Sequence, residues 1–164
     1  MGENIIIAPH PDDEVIGCYS LLADKKIQRV IYGDHDSKVR DVLDAVPIEA
    51  HDFFCFQYEV GNVEALAPYM GCGNNFLFPD PYFEVHPDHR YWGAIGEGML
   101  RSGENVIFYS VNMQAPYIRK VGNPSHKVHC LNLLYPSKAD LWKYEHKYFL
   151  FEGQCRWYVD GVSL

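Results

Sequence analysis

The sequence IIIAPHPDDEVIGC, residues 5–18, places three isoleucines and an alanine directly before a histidine, two aspartates and a glutamate. An apolar, isoleucine-rich run of this length is typical of a strand buried on both faces of a parallel sheet. Pro9 and Pro11 flank His10 and narrow its backbone to extended conformations, because each ring fixes its own φ and restricts the preceding residue. The stretch predicts a buried first strand, residues 4–9, that ends at a rigid turn carrying polar side chains.

Segments with strand and helix patterns alternate after this stretch. Apolar periodicity predicts helices over residues 14–23, 37–46, 63–70, 88–101 and about 136–150, the last capped by Ser137. It predicts strands over residues 27–33, 51–59 and 105–111, with 127–133 as a further strand-like run. This alternation predicts a single-domain, Rossmann-like α/β fold over residues 1–164, with a mostly parallel sheet and helices on both faces.

Composition and charge restrict the classes of function. The net charge of −8, with scattered basic residues, argues against general nucleic-acid binding, which needs clustered Lys and Arg. No segment approaches the ~18 continuous apolar residues of a membrane span, and the start of the chain lacks the basic and apolar regions of a signal peptide. Five widely spaced cysteines without a CxxC pair indicate reduced thiols in a cytoplasmic protein. The oligomeric state stays open.

Two histidine clusters carry the chemistry that the sequence suggests. His10 and Asp13 follow the first strand, at the sheet edge where α/β proteins bind ligands, and their spacing on a stiff turn lets both face one cation. A second proline-stiffened cluster, EVHPDHR at residues 84–90, precedes a predicted helix and offers a third ligand. The two clusters predict a metal site with ligands from both.

The ligand types indicate a catalytic rather than a structural metal. Catalytic zinc takes three protein ligands and leaves a position open, whereas structural zinc is closed by four, usually including cysteines. Neither cluster has a cysteine beside it. Iron(II) held by two histidines and one carboxylate would satisfy the same residues, so both Zn²⁺ and Fe²⁺ remain candidates.

The motifs APHPDDEVIGC, residues 8–18, and HPDH, residues 86–89, resemble those of the PIG-L/LmbE-like family. These are zinc-dependent deacetylases that remove acetyl from N-acetylglucosaminyl groups and related amides. The resemblance implies that His10, Asp13 and His89 bind the metal.

The resemblance also implies that Asp12 is the general base and that His86 and Asp88 support the transition state. Amide hydrolysis needs a metal that acidifies water, a carboxylate that moves its proton to the leaving amine, and a donor for the oxyanion. Asp12 can be the carboxylate, and a protonated His86 oriented by Asp88 can be the donor. Arg40 is a candidate for contact with a substrate hydroxyl, with an ordinary solvated position as the alternative.

These residues predict a zinc-dependent hydrolase that deacetylates a small N-acetylglucosaminyl-type sugar conjugate. A metal-dependent amidase acting on another acyl-amine is the alternative among enzymes. A non-catalytic sugar-binding module is the alternative outside them, although such a module has no need of Asp12.

Overall fold

The computed structural model describes residues 2–46, 53–112, 115 and 117–154. The strands are β1 Asn4–Ala8, β2 Arg29–Gly33, β3 Gln57–Gly61, β4 Asn75–Pro79, β5 Asn105–Ser110, β6 Tyr117–Lys120 and β7 Phe151–Gln154. The helices are α1 Asp13–Ala23, α2 Ser37–Asp44, α3 Pro87–Arg101, α4 Pro124–Leu134, α5 Ala139–Tyr144 and α6 Lys147–Leu150, with 3₁₀ helices at Val63–Tyr69 and Pro136–Lys138.

The strands form one sheet in the order β3-β2-β1-β4-β5-β7-β6. The first five are parallel, and β7 pairs antiparallel with both β5 and β6. The α/β class with a mostly parallel sheet is therefore confirmed. The chain passes from β1 to β2 on one side and from β4 to β5 on the other, so the carboxyl ends of β1 and β4 form the switch point where such sheets bind ligands.

Helices cover both faces of the sheet. Alternation along β1 sends Ile5 and Ile7 to one face, and Ile6 and Ala8 to the other, and all four side chains are fully buried. The first pair packs in one apolar cluster with side chains of α3, and the second pair packs in another with side chains of α1 and α4. The central strand is thus the hydrophobic run that the sequence predicts.

The strand-like interpretation of residues 127–133 is wrong, because they lie in α4. Pro124 occupies the first turn of this helix, and the Asn123 side chain caps it by accepting the His126 backbone N–H. The buried positions follow the helical period of three and four: Lys127, Cys130, Leu131 and Leu134.

The long helix predicted for residues 136–150 is also wrong, because this segment is divided into a 3₁₀ turn, α5 and α6. The 3₁₀ turn has Tyr135 rather than Ser137 at its N-terminal cap position. Of the strand predicted for 51–59, residues 51–52 lie outside the described part and the strand begins only at Gln57. The predicted helix at 63–70 is a 3₁₀ helix.

No helix in residues 2–46, 53–112 and 117–154 combines the length and the hydrophobicity that crossing a bilayer requires.

Gly96 lies where α3 packs against β4, the contact that positions the start of α3 over the sheet. A methyl group there would lie 2.7 Å from Cγ and 2.9 Å from Cβ of Phe78, whereas one at Gly98 would meet nothing within 4 Å. We expect Gly96→Ala to lower the free energy of unfolding by about 1–3 kcal/mol, because the added methyl overpacks this contact. Gly98→Ala should raise it by about 0.5–1 kcal/mol, because alanine loses less backbone entropy in a helix. Urea unfolding measures both; equal stabilities would contradict the close packing.

Candidate metal centre

Three segments of the chain meet at the carboxyl edge of the parallel strands. The turn of residues 9–12 joins β1 to α1, the loop with His35 follows β2, and the loop of residues 80–86 leads from β4 into α3. The His10 ring contacts the rings of both His35 and His86, at centroid distances of 4.8 and 4.6 Å. The two histidine clusters of the sequence therefore form one site.

Asp13 closes the turn that follows β1. Its backbone N–H donates to the His10 carbonyl at 3.1 Å, and its Oδ2 accepts the His10 backbone N–H at 2.8 Å. These two bonds, together with the restricted backbone at Pro9 and Pro11, hold the Asp13 carboxylate beside the His10 ring. The carboxylate is 5% exposed, so it is withdrawn from solvent at a defined position.

Three ligand atoms converge at this turn: His10 Nδ1, Asp13 Oδ2 and His89 Nε2. His10 Nδ1 lies 3.1 Å from His89 Nε2 and 3.4 Å from Asp13 Oδ2. The third separation, from His89 Nε2 to Asp13 Oδ2, is 2.9 Å. We call these three residues the inner group.

The inner group fits a zinc ion by its geometry and its donor types. Zinc bound tetrahedrally at about 2.0 Å holds its ligand atoms about 3.3 Å apart, and the three observed separations lie on both sides of that value. Two imidazoles and one carboxylate also match the donor set of catalytic zinc and of non-haem iron(II). The geometry does not choose between the two metals.

Each histidine of the inner group has a carboxylate on its other ring nitrogen. His10 Nε2 lies 2.9 Å from Asp88 Oδ2, and His89 Nδ1 lies 3.3 Å from Glu84 Oε2. The second contact brings the groups close without a well-aligned hydrogen bond, since buried His89 Nδ1 has no hydrogen-bond partner among the described residues. Glu84 is itself held by the Val111 backbone N–H, which donates to Oε1 at 2.8 Å. Such carboxylate–histidine pairs orient metal ligands.

Asp12 lies between the ligands His10 and Asp13 but is not part of the inner group. Its φ of 124° is strained for a residue with a side chain, and its side chain gives no helix-capping bond. Its Oδ2 instead lies 3.4 Å from Lys138 Nζ. The turn therefore sends two neighbouring aspartates in different directions, one to the ligand set and one toward Lys138.

The Glu14 side chain stabilises the strained backbone of Asp12 by a hydrogen bond. Its side chain is fully buried, Oε2 accepts the Asp12 backbone N–H at 3.1 Å, and Oε1 accepts the Tyr135 hydroxyl proton. Burial raises the pKa of Glu14 to about 7, against the opposing hydrogen bond from Tyr135. Glu14 thus ties the strained residue to the core.

The two adjacent aspartates differ in their affinity for protons. Burial raises the pKa of Asp12 to about 8, the charge of Asp13 adds to this, and Lys138 opposes it. For Asp13, burial also favours the neutral form, but the charges of His89 and His10 outweigh it and lower the pKa. For His89, burial lowers the pKa, but the Asp13 carboxylate outweighs it and the pKa rises to about 10. Opposite shifts in neighbouring carboxyl groups are a feature of acid–base sites.

No family model, no curated protein and no solved structure matches the chain. The functional proposal therefore rests on the residues of the site.

His86 and Asp88 stand at the entrance of the site, at the N-terminus of α3. His86 is the N-cap, and its Nδ1 accepts the Asp88 backbone N–H at 3.1 Å. The Asp88 carboxylate lies nearer to His10 than to His86, whose Nδ1 is 3.7 Å away. Burial and the charges of His10 and His89 lower the pKa of His86, against the Asp88 charge. In the metal-free protein this direction favours the neutral form of His86.

Arg40 is not brought to the inner group by any described contact. It lies on α2, and its Nη2 donates to Asp34 Oδ2 at 3.0 Å. It lines an open depression with residues of α2 and β3. Its proposed contact with a substrate hydroxyl stays a prediction.

An open cleft of about 570 Å³ borders Asp12. Its lining residues are Asp12, Lys138, Asp140, Leu141, Tyr144 and Glu145. Tyr144 is largely exposed, and Lys138 Nζ also donates to the Pro11 carbonyl at 2.5 Å. The short helix α5 thus forms one wall of the cleft beside Asp12, the aspartate that is not part of the inner group.

Sequence reasoning assigned no role in this site to Glu14, His35, Glu84 or Lys138, which all surround the ligands. His35 Nε2 lies 3.5 Å from Asp88 Oδ2 and stands two residues after the end of β2, a position that could have identified it. Lys138 lies in a turn that the sequence interpretation had placed inside a helix. Nothing in the local sequence around Lys138 predicts that it reaches Asp12.

Proposed function

We propose that this chain is a zinc-dependent hydrolase that removes the acetyl group from an N-acetylglucosaminyl-type sugar conjugate. In this proposal it is a single-domain, Rossmann-like member of the PIG-L/LmbE-like deacetylases and works in the cytoplasm. Cys18, Cys72 and Cys130 are free thiols, which supports a reducing compartment.

One observation carries the proposal. His10, Asp13 and His89 converge at zinc-binding separations, while Asp12, between two of them, is left out of the group and borders an open cleft. A structural metal site has no use for a strained, buried aspartate beside it. A hydrolytic site needs such a group to handle a proton.

When bound, a zinc ion supplies a Lewis acid that polarises an amide carbonyl and lowers the pKa of water. Without a cation beside it the pKa of Asp12 is about 8, and the positive charge of a bound cation would lower this pKa and favour the ionised carboxylate. The ionised Asp12 accepts the proton of the attacking water at a carboxylate oxygen and delivers it to the amine nitrogen as the C–N bond breaks. Acetate and a free amine are the products. Lys138 holds the Asp12 carboxylate from the cleft side, and Glu14 holds its backbone.

His86 donates to the carbonyl oxygen in this proposal. Because its Nδ1 accepts the Asp88 backbone N–H, the ring proton is placed on Nε2, and a neutral imidazole then keeps one donor to offer. The side chain is 54% exposed at the entrance, where it can meet a substrate. A donor aimed at the oxygen stabilises the negative charge that develops there in the transition state.

Acetate release from metal-loaded protein tests the proposal. We expect release from N-acetylglucosamine or its simple glycosides and conjugates, and much less from N-acetylated alkyl amines of similar size. Asp12→Asn is the matched control, because it keeps the shape of the site and removes the proton acceptor. Activity on alkyl amines alone would replace the sugar substrate by another acyl-amine, and absence of all acetate release would contradict a hydrolase.

A further inference from the structure

Asp88 faces three histidines from three different segments of the chain. Its Oδ2 lies 2.9 Å from His10 Nε2, 3.5 Å from His35 Nε2 and 3.7 Å from His86 Nδ1. These nitrogens belong to the turn after β1, the loop after β2 and the N-terminus of α3. We call Asp88 and His86, together with Nε2 of His10, the outer group.

Hydrogen bonding alone does not account for this convergence. The contact with His10 has the length of a hydrogen bond, but those with His35 and His86 are too long for good ones. Two imidazoles are therefore gathered around a carboxylate oxygen that does not bond them well. Separations of 3.5 and 3.7 Å are close to the spacing of about 3.3 Å that atoms around one zinc ion adopt.

We propose that the outer group is a second divalent-cation site. It lies on the opposite edge of the His10 ring from the inner group, which uses Nδ1. With Nδ1 on the inner cation the ring proton is on Nε2, so the second cation displaces that proton to solvent and His10 becomes a bridging imidazolate. His10, His86 and Asp88 together satisfy the spacing of a metal-ligand group. His35 lies 3.5 Å from Asp88 but is not part of that group, so it stands beside the site. The imidazole-rich donor set selects Zn²⁺, Co²⁺, Ni²⁺ or Cu²⁺ over Mg²⁺ and Ca²⁺, which prefer oxygen.

The outer site is open to solvent and weaker than the inner one. The side chains of His86 and Asp88 are 54% and 36% exposed, whereas those of His89 and Asp13 are almost fully buried. A cation on Nδ1 of His86 also competes with the hydrogen bond that caps α3. The second cation therefore binds after the first and leaves more readily.

Occupation of the outer site has a consequence that rests on the proposed function. The second cation binds His86 Nδ1 and Asp88 and fixes the His86 ring toward the outer group, so its Nε2–H is held away from the carbonyl oxygen. Excess zinc then inhibits acetate release, at concentrations above those that fill the inner group.

Titration of the metal-free protein with Co²⁺ tests the second site, with bound metal measured by visible spectroscopy and elemental analysis. Wild-type protein should bind two equivalents, His86→Ala should bind one, and His89→Ala should keep one weak equivalent. His146→Ala, at an exposed histidine that follows α5 and belongs to neither group, is the matched control and should bind two. His86→Asn, which can still cap α3, together with circular dichroism of every variant, separates ligand loss from misfolding.

The outcomes separate this inference from the proposed function, because they count metal ions rather than turnover. A wild type that binds one equivalent, retained in His86→Ala and lost in His89→Ala, overturns the outer site and keeps the inner one. Two equivalents in both wild type and His86→Ala also overturn it. One equivalent that is lost in His86→Ala and retained in His89→Ala keeps the outer site and removes the metal on which the proposed function depends.

Discussion

His89→Ala is expected to remove the tightly bound divalent metal and, with it, all measurable acetate release. His89 Nε2 lies 3.1 Å from His10 Nδ1 and 2.9 Å from Asp13 Oδ2, so its loss leaves two of three protein ligands. Loss of an outer partner of a ligand typically weakens metal binding by ~10–100-fold, and loss of the ligand itself should cost more. Elemental analysis of the purified variant measures the effect.

Two further variants serve as references for the metal loss expected in His89→Ala. Glu84→Gln keeps all three ligands and removes the charge beside His89 Nδ1, so we expect metal affinity to fall by only about 10–100-fold. His146→Ala changes an exposed histidine outside the site and should leave the metal content unchanged. Wild-type metal content in a folded His89→Ala protein would contradict the ligand assignment.

Asp12→Asn is expected to lower kcat by about 10² to 10⁴, the usual worth of positioned general acid–base catalysis, while the metal stays bound. Asparagine keeps the size of aspartate and removes the proton acceptor. It also tolerates positive φ about as well, so the strained backbone at 124° and its bond to Glu14 should survive. Steady-state kinetics with metal analysis of the same samples separates turnover from metal loss.

Asp13→Asn is the matched control for this prediction, because the two aspartates are adjacent and differ in role. Asp13 belongs to the inner group, so its variant should lose metal affinity first and activity as a result. If Asp12→Asn loses the metal while Asp13→Asn keeps it, the two roles are reversed. Full activity with bound metal in Asp12→Asn would falsify the hydrolytic mechanism.

The sequence was a good guide wherever local pattern and tertiary environment agree. The isoleucine run before His10 predicts β1 because only a central strand buries apolar side chains on both faces, and all of Ile5, Ile6 and Ile7 are fully buried. The helix that begins beside His89 was also predicted, within one residue of its start at Pro87. Proline and a capping side chain mark that start in the sequence itself.

Prediction failed where tertiary contacts outweigh local pattern. Residues 127–133 carry β-branched and apolar residues that suggest a strand, yet a capped helix forms and buries Lys127, whose Nζ donates to the Ile16 and Phe151 carbonyls. The strands β4, β6 and β7 were not predicted, because strands of only four or five residues have weak signals of their own. Their pairing partners lie far along the chain.

By itself, the sequence determined the central strand, the rigid turn after it and the residue types that gather there. Those features depend on side chains close in the chain: prolines that restrict His10, and Asp13 three residues away. Only the tertiary structure decided that His89, 79 residues from His10, completes the inner group. Parallel strand order brings the ends of β1 and β4 together, and packing of α3 on the sheet sets the distance.

The same long-range packing decided which residues surround the ligands. Glu84 behind His89, His35 beside Asp88 and Lys138 beside Asp12 come from three separate segments of the chain. No local spacing relates them, because their proximity arises from how the loops end at one edge of the sheet. Residue type and spacing can thus predict candidate ligands, whereas the orientation of each ring and carboxylate depends on partners that only folding brings near.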